Sequence, residues 1–347
     1  MWPLAFVVLL LAPSYSQSQE TDTCKCVFYY LCVNGTIVVD GNVDGLLDER
    51  LGEACDCKCP DGQVCCSLGN ATSILPPPPT TCGQRNPDGV GPKSGSNDED
   101  VNFGEFPWAI DILLENRAFR CAGSLIHPAV VLTAAHCVLR KKTYIARAGE
   151  WDNSGTGELL KHQDLLVDSV KIHEDYNPAV YYNDVALLFL KGAFNLSAHI
   201  QPVCLAGAGF SGSSERCYVV GRGKDQNGQY NPILKKIDLP LVDKASCENS
   251  LKRSPKLGHN FKLHGSFLCA GGEKGKDACV GDGGGSLVCP ISGEEEKFEQ
   301  VGIVAWGLGC HQENTPAAYS NVPFLREWVD KQMKEWDFDK SSYTFPK

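Results

Sequence analysis

The chain has 347 residues, enough for one large domain with a small one, or for two of medium size. Its net charge of −10, from 32 basic and 42 acidic residues, argues against general nucleic-acid binding, and 43% hydrophobic content suits a globular protein with a buried core. Eighteen cysteines, a large even number, indicate disulfides and an oxidising compartment.

Residues 1–16 read as a signal peptide. An apolar run from Leu4 to Leu11 is too short to span a bilayer, and Ser14 and Ser16 offer a cleavage site. No later stretch is apolar enough for a membrane span, so the chain is expected to be secreted and extracellular. Residues 17–66 hold Cys24, Cys26, Cys32, Cys55, Cys57, Cys59, Cys65 and Cys66, in a segment too small to be held by a core alone. Disulfides would staple it, although the sequence does not choose their pairing. A zinc module is the competing reading, and the absence of histidine from the segment counts against it.

Residues 67–104 read as a linker. Pro76 to Pro79 favour an extended polyproline II spacer. The turn-prone run from Gly89 to Gly95 and the acidic Asn97-Asp98-Glu99-Asp100 suggest exposure, which makes Arg85 and Lys93 candidate points of tryptic cleavage. From Phe103 the texture changes to short apolar runs separated by Gly, Pro and Asn. They are Ala109–Leu114, Val130–Thr133, Val185–Leu190, Cys217–Gly221 and Val301–Trp306, an all-β pattern. Phe324, Leu325, Trp328, Val329 and Met333 then fall at helical spacing. Residues 336–347 read as a C-terminal tail.

Three motifs carry chemistry. Thr133-Ala134-Ala135-His136-Cys137 is followed by Asn183-Asp184-Val185-Ala186-Leu187-Leu188, and then by Gly281-Asp282-Gly283-Gly284-Gly285. Their order and content resemble the histidine, aspartate and nucleophile motifs of trypsin-like serine proteases. The resemblance covers about residues 105–335 and implies a chymotrypsin-like double β-barrel with a C-terminal helix. One position departs from it. Gly283 stands where the family carries the nucleophilic serine, so His136 and Asp184 are expected to be vestigial. Ser286 lies three residues on, and its side chain should project elsewhere.

Cys24-Lys-Cys26-Val-Phe-Tyr-Tyr-Leu-Cys32, ending in Cys65-Cys66, resembles a clip domain, the disulfide-knotted module found before arthropod serine proteases. The usual clip has six cysteines and this segment has eight. The protease resemblance further implies the pairs Cys121–Cys137, Cys217–Cys289, Cys247–Cys269 and Cys279–Cys310, with Cys82–Cys204 tethering the linker. It implies an S1-like pocket at Asp277, Gly307 and Ala317, narrowed by the alanine methyl. Active members expose an Ile-Val-type start whose amine pairs with the aspartate before the serine. Here that start would fall near Ser94-Gly95, without Ile or Val, so Asp282 is expected to lack its usual partner. An engineered change would also give Gly283, but the start and the pocket favour natural loss.

Weaker signals complete the reading. Asn34, Asn70 and Asn195 head glycosylation triplets. Glu150, Asp152 and Glu158 lie where some trypsin-like proteins hold calcium, but at a different spacing, so solvated acids without metal are expected. Lys252, Arg253, Lys256, His259, Lys262 and His264 form a basic stretch between Cys247 and Cys269, either a docking surface or a solvated face.

Taken together, the chain resembles the clip-domain serine protease homologues of arthropod haemolymph. The resemblance implies a non-catalytic regulator of innate immunity, cut in the linker and acting in prophenoloxidase activation and melanisation. Its partners would be prophenoloxidase or an active clip-domain protease, with an oligomer after cleavage as one outcome and no cofactor. The alternatives are a decoy that restrains the cascade, a protein binding microbial surfaces or cells, and a peptidase with a displaced nucleophile.

Overall fold

The computed structural model describes residues 24–28, 32–33, 36–37 and 63–67 of a small N-terminal unit. In the larger unit it describes residues 81–90, 99–140, 142–154, 160–210, 216–224, 229–274, 282–294, 296–309 and 313–346. The small unit contains β1 (Cys24–Phe28), β2 (Cys32–Val33), β3 (Thr36–Ile37) and β4 (Gln63–Ser67), in the sheet order β1-β4-β3-β2. The pairs β1–β4 and β2–β3 are antiparallel, and Thr36 meets Ser67 in a parallel pair.

The larger unit begins with a closed barrel in the order β10-β7-β6-β5-β8-β9. Its strands are β5 (Ala109–Leu114), β6 (Phe119–His127), β7 (Val130–Thr133), β8 (Tyr144–Ala148), β9 (Gln163–Ile172) and β10 (Ala186–Leu190). Every residue of β7 and β10 is buried, as their unbroken apolar sequences require.

The second sheet runs β11-β16-β15-β12-β13-β14-β17, and a further β16–β17 pairing closes six of its strands into a ring. Its strands are β11 (Cys204–Leu205), β12 (Arg216–Gly221), β13 (Lys235–Val242), β14 (Phe267–Ala270), β15 (Ser286–Pro290), β16 (Phe298–Trp306) and β17 (Ala317–Asn321). Helix α1 (Lys244–Lys252) is capped by Asp243, whose carboxylate accepts from the backbone N–H groups of Ala245 and Ser246. Helix α2 (Val322–Glu335) is capped by Asn321 and buries Val322, Leu325, Val329, Gln332 and Met333. Phe324, expected on the buried stripe, is 55% exposed, because it lies off the line through 322, 325 and 329.

The five apolar runs picked out in the sequence all lie in strands, within a residue at most ends. The double barrel with a C-terminal helix is the architecture observed. Disulfides join Cys82–Cys204, Cys121–Cys137, Cys217–Cys289 and Cys247–Cys269. Cys279, Cys310, Lys93, Asp277, Glu158, Asn34, Asn70 and residues 1–16 lie outside the described residues.

Two segments differ from the expectation. The first is residues 81–90 and 99–104, expected as exposed linker. Beside the Cys82 bridge, Gly83 N–H donates to Pro202 O at 2.9 Å and Gly83 O accepts from Phe298 N at 2.8 Å. At φ +80° a Cβ on Gly83 would fall 2.2 Å from the Phe298 carbonyl oxygen, so only glycine permits this approach. Arg85 is correspondingly not an exposed cleavage point. Its side chain is 12% exposed, paired with the buried Glu105 at 2.7 Å, and its guanidinium lies 4.8 Å from the Tyr218 ring centroid. Lys236 pairs with the same carboxylate at 2.8 Å, so two cations hold one buried acid.

The second is the tail. Trp336 stacks on Phe189 at 4.1 Å, Phe338 packs on His127 at 4.5 Å, and Tyr343 is fully buried with its hydroxyl donating to Asp330. These aromatic contacts make residues 336–343 part of the first barrel's outer packing.

The barrels are also joined by charge. Arg222, directly after β12, is fully buried and donates to Asp111 Oδ2 in β5 at 2.9 Å. It also donates to the carbonyls of Glu150, Trp151 and Pro232. Burial pushes the Asp111 carboxyl above its usual range, and the guanidinium opposes that shift.

Candidate functional site

The first barrel supplies an intact histidine–carboxylate pair. A single 3-10 turn, Ala135–Cys137, follows β7 and presents His136. Its backbone N–H donates to Asp184 Oδ1 at 2.9 Å and its Nδ1 lies 2.7 Å from Asp184 Oδ2. The Asp184 side chain is fully buried, and Ser320 Oγ donates to the Asp184 backbone carbonyl at 2.8 Å. A proton on Nδ1 facing the carboxylate leaves Nε2 to face the neighbouring loop. Tyr181, at φ +59°, sets its ring against the His136 ring, with centroids 5.8 Å apart.

The second barrel supplies the loop before β15. A Cβ built on Gly283 would lie 2.9 Å from His136 Nε2, closer than Cβ contacts normally come. The imidazole therefore fills the space a nucleophile's side chain would need. The loop backbone is otherwise well anchored. Ala122 N–H donates to Gly283 O at 3.0 Å, and Gly284 N–H donates to Val304 O at 3.0 Å. At Gly284, with φ +83°, a Cβ would fall 2.3 Å from both Ala122 O and Thr133 Oγ1, so this glycine serves the packing. Ser286 is buried within β15, registered against Ile303.

Asp282 is buried and accepts Gly223 N–H at 2.7 Å, so its carboxylate is held by the barrel's own backbone. A Cβ at Gly221 or Gly223 would lie 2.2 or 2.6 Å from its oxygens. The sequence marks these two glycines by the Gly-Arg-Gly at 221–223, a signal of close backbone approach. Of the S1-like positions, Gly307 and the buried Ala317 are brought together, a Cβ on the glycine lying 3.8 Å from the alanine methyl. Asp277 is outside the described residues.

Of the acids expected to be solvated near position 150, Glu150 is not, and Asp152 is half-buried. Glu150 is buried, 3.1 Å from Arg147 and 3.0 Å from His162, while Asp152 Oδ1 accepts from Ser154 N and Oγ. The Arg147 guanidinium already on Glu150 makes this a poor calcium site, since a metal would have to displace it. Among the described residues one cluster, Cys121, His136 and Cys137, has metal-like spacing. Its sulfurs are bonded to each other and offer no thiolate.

The basic stretch is partly neutralised. Glu248 pairs with Lys252 at 2.6 Å and Lys262 at 3.2 Å, and accepts from Leu263 N–H. These partners hold its carboxyl down at about 2. His264 stacks on Tyr182 at 4.1 Å and hydrogen-bonds to Ser266 Oγ. Asn195 is exposed, and Lys331, Lys334 and Lys340 add charge on and beyond α2.

Comparison with known proteins agrees with this geometry. The family model described as Trypsin matches residues 96–329. The chain belongs to the trypsin family. The model described as Serine protease Clip domain PPAF-2 matches residues 13–67 of this trypsin-family chain. Phenoloxidase-activating factor 2 of Galleria mellonella is 42% identical over 295 residues, 78% of this chain and 97% of that protein. Inactive CLIP domain-containing serine protease A8 of Anopheles gambiae is 35% identical over 344 residues, 92% of this chain and 93% of that protein. Phenoloxidase-activating factor 3 of Holotrichia diomphalia is 29% identical over 334 residues, 90% of each chain. The chain is thus a clip-domain serine protease homologue whose relatives include proteins named inactive. No helix among the described residues is long and apolar enough to cross a membrane.

Proposed function

We propose that this chain is a secreted, non-catalytic regulator of an innate-immune protease cascade, acting as a cofactor in prophenoloxidase activation. The carrying observation is at position 283. The residue has no side chain, and His136 Nε2 lies where a Cβ would meet it at 2.9 Å. Without the hydroxyl there is no acyl-enzyme, and removing the serine of such a triad costs about a millionfold in kcat. What remains is a two-barrel body that still brings His136 and the 282–285 loop together, suited to holding a segment rather than cutting it. The names of the relatives support the cascade, and the clip-domain match supports an extracellular setting.

Cleavage in the linker is the proposed switch. With Arg85 packed against Glu105, Lys93 is the remaining candidate of the two. The partners would be prophenoloxidase or its activating clip-domain protease, with Asn195 as a glycan site on an exposed turn. Reconstitution tests this reading. Intact and linker-cut protein are added to prophenoloxidase and its activating protease. A rise in phenoloxidase activity with the cut form alone is expected. A fall would mark a decoy, and no change would remove the chain from melanisation.

A further inference from the structure

In the first barrel, β9 outruns one of its two neighbours. It pairs with β10 along its last residues, from Val167 with Leu190 to Ile172 with Ala186. On the other side, its pairing with β8 runs from Gln163 with Ala148 and ends at Leu166 with Ile145. Residues 167–172 therefore have a strand partner on one side alone, and no isolated bridge among the described residues covers the other. A strand edge left open in this way is a template for a further strand. At about 3.3 Å per residue, this one is about 20 Å long.

The edge is one wall of a groove. Val167, Val170 and Ile172 of β9 line it together with Val138, Leu139 and Tyr144, around a volume of about 1340 Å³. That exceeds the roughly 300–1,000 Å³ of a small-molecule pocket, so the space suits a length of chain. Among the described residues, neither His136, Asp184 nor the 282–285 loop lines it. Leu139 is 47% exposed, an apolar surface at the groove. Arg140, Lys142 and Lys191 are exposed on the lining, without a carboxylate partner among the described residues. Glu115 and Asp168 also line it, so positive charge is in excess on a protein whose net charge is −10. Burial pushes the Tyr144 hydroxyl above its usual range, and the charges of Arg120 and Arg140 oppose that shift, so both guanidiniums act on the groove's floor.

We propose that the open edge of β9 takes up an extended segment of a partner protein as an added strand, with acidic side chains of that segment at Arg140, Lys142 and Lys191 and apolar ones on Leu139 and Val170. Main-chain hydrogen bonds to β9 supply affinity, and the side chains supply selection. The cations favour an acidic partner over a second copy of this chain, which would bring the same charges against them. The surface is independent of the nucleophile position, and it goes beyond the reading of the chain as a regulator.

The test is fluorescence anisotropy with the full chain. The probes are a labelled octapeptide alternating glutamate with valine, its counterpart with glutamine for glutamate, and two forms N-methylated at odd or at even backbone amides. The glutamate peptide should bind about tenfold more tightly than the glutamine one at low salt, with the difference shrinking as salt is raised. One methylation pattern should abolish binding and the other should spare it, because alternate amides of an added strand face β9. Amide exchange in residues 167–172 should slow on binding, and Arg140→Gln/Lys142→Gln should remove the preference for glutamate. Failure of the glutamate peptide to bind, indifference to both methylation patterns, or binding without protection of 167–172 overturns the added strand. A preference that survives the double substitution overturns the acidic assignment. Dimerisation of the chain alone, with protection of the same residues, would make the occupant a second copy and overturn the partner proposed.

Discussion

The two barrels contribute unequally to one site. The first keeps a complete His136–Asp184 pair, with both carboxylate oxygens engaged and the acid fully buried. The second keeps the backbone of its loop, through Gly283 O, Gly284 N and the Asp282 carboxylate, yet presents no reactive atom. The difference separates two kinds of constraint. Losing the side chain at 283 removes chemistry while the loop's backbone bonds stay in place, whereas the loop's other glycines and its buried acid belong to the fold and cannot be lost so easily.

The sharpest way to break this comparison is at Gly284. Gly284→Ala puts a methyl into Ala122 O and Thr133 Oγ1 at a positive φ, and should cost at least about 3 kcal/mol or prevent folding. Urea denaturation measures it, and a neutral result would mean that the loop is not held as described. Next comes the charge joining the barrels. Asp111→Leu leaves Arg222 buried without its carboxylate and should cost about 3–5 kcal/mol, most of which Asp111→Leu/Arg222→Met should recover. A full additive loss in the double variant would show that the pair does more than neutralise itself.

A smaller effect is expected at the emptied position. Gly283→Ser should destabilise by about 1–3 kcal/mol, because the new Cβ pushes on an imidazole already tied to Asp184. It should also fail to react with a fluorophosphonate. Rapid labelling of that variant would show that the second barrel lacks only the hydroxyl.

The smallest effect concerns Glu248, whose carboxyl is held down to about 2 by Lys252, the Leu263 N–H and Lys262. For a depressed carboxylate, the stabilisation is present above its ordinary value of 4.5 and is lost as pH falls towards 2. Amide exchange at Leu263 should therefore accelerate, relative to the intrinsic rate, across that window. Unchanged protection would sever the basic segment from its anchor.

The His136 and Asp184 motifs and the glycine loop were legible because each is a local run with a fixed partner order. The strands from Val130 and Ala186 were legible because both are continuously apolar. What escaped notice depends on contacts between distant residues. Arg85 looks like an exposed linker residue until Glu105 and Glu296 are placed beside it. Nothing in the sequence marks Arg222 and Asp111, 111 residues apart, as the pair that the structure buries together. Glu150 reads as solvated because Arg147 and His162 reveal themselves as its partners only once β8 and β9 pair. Strands β9 and β13 mix charged with apolar residues and show no long unbroken apolar run, since both lie partly exposed.

The most direct test of the central claim is to treat the linker-cut chain with excess fluorophosphonate, record its intact mass, and add it to the prophenoloxidase reconstitution. Unchanged mass and a rise in phenoloxidase activity equal to that of untreated protein are predicted. A mass gain of one phosphonyl group together with loss of the stimulation would contradict the account, because the chain would then act through a nucleophile of its own.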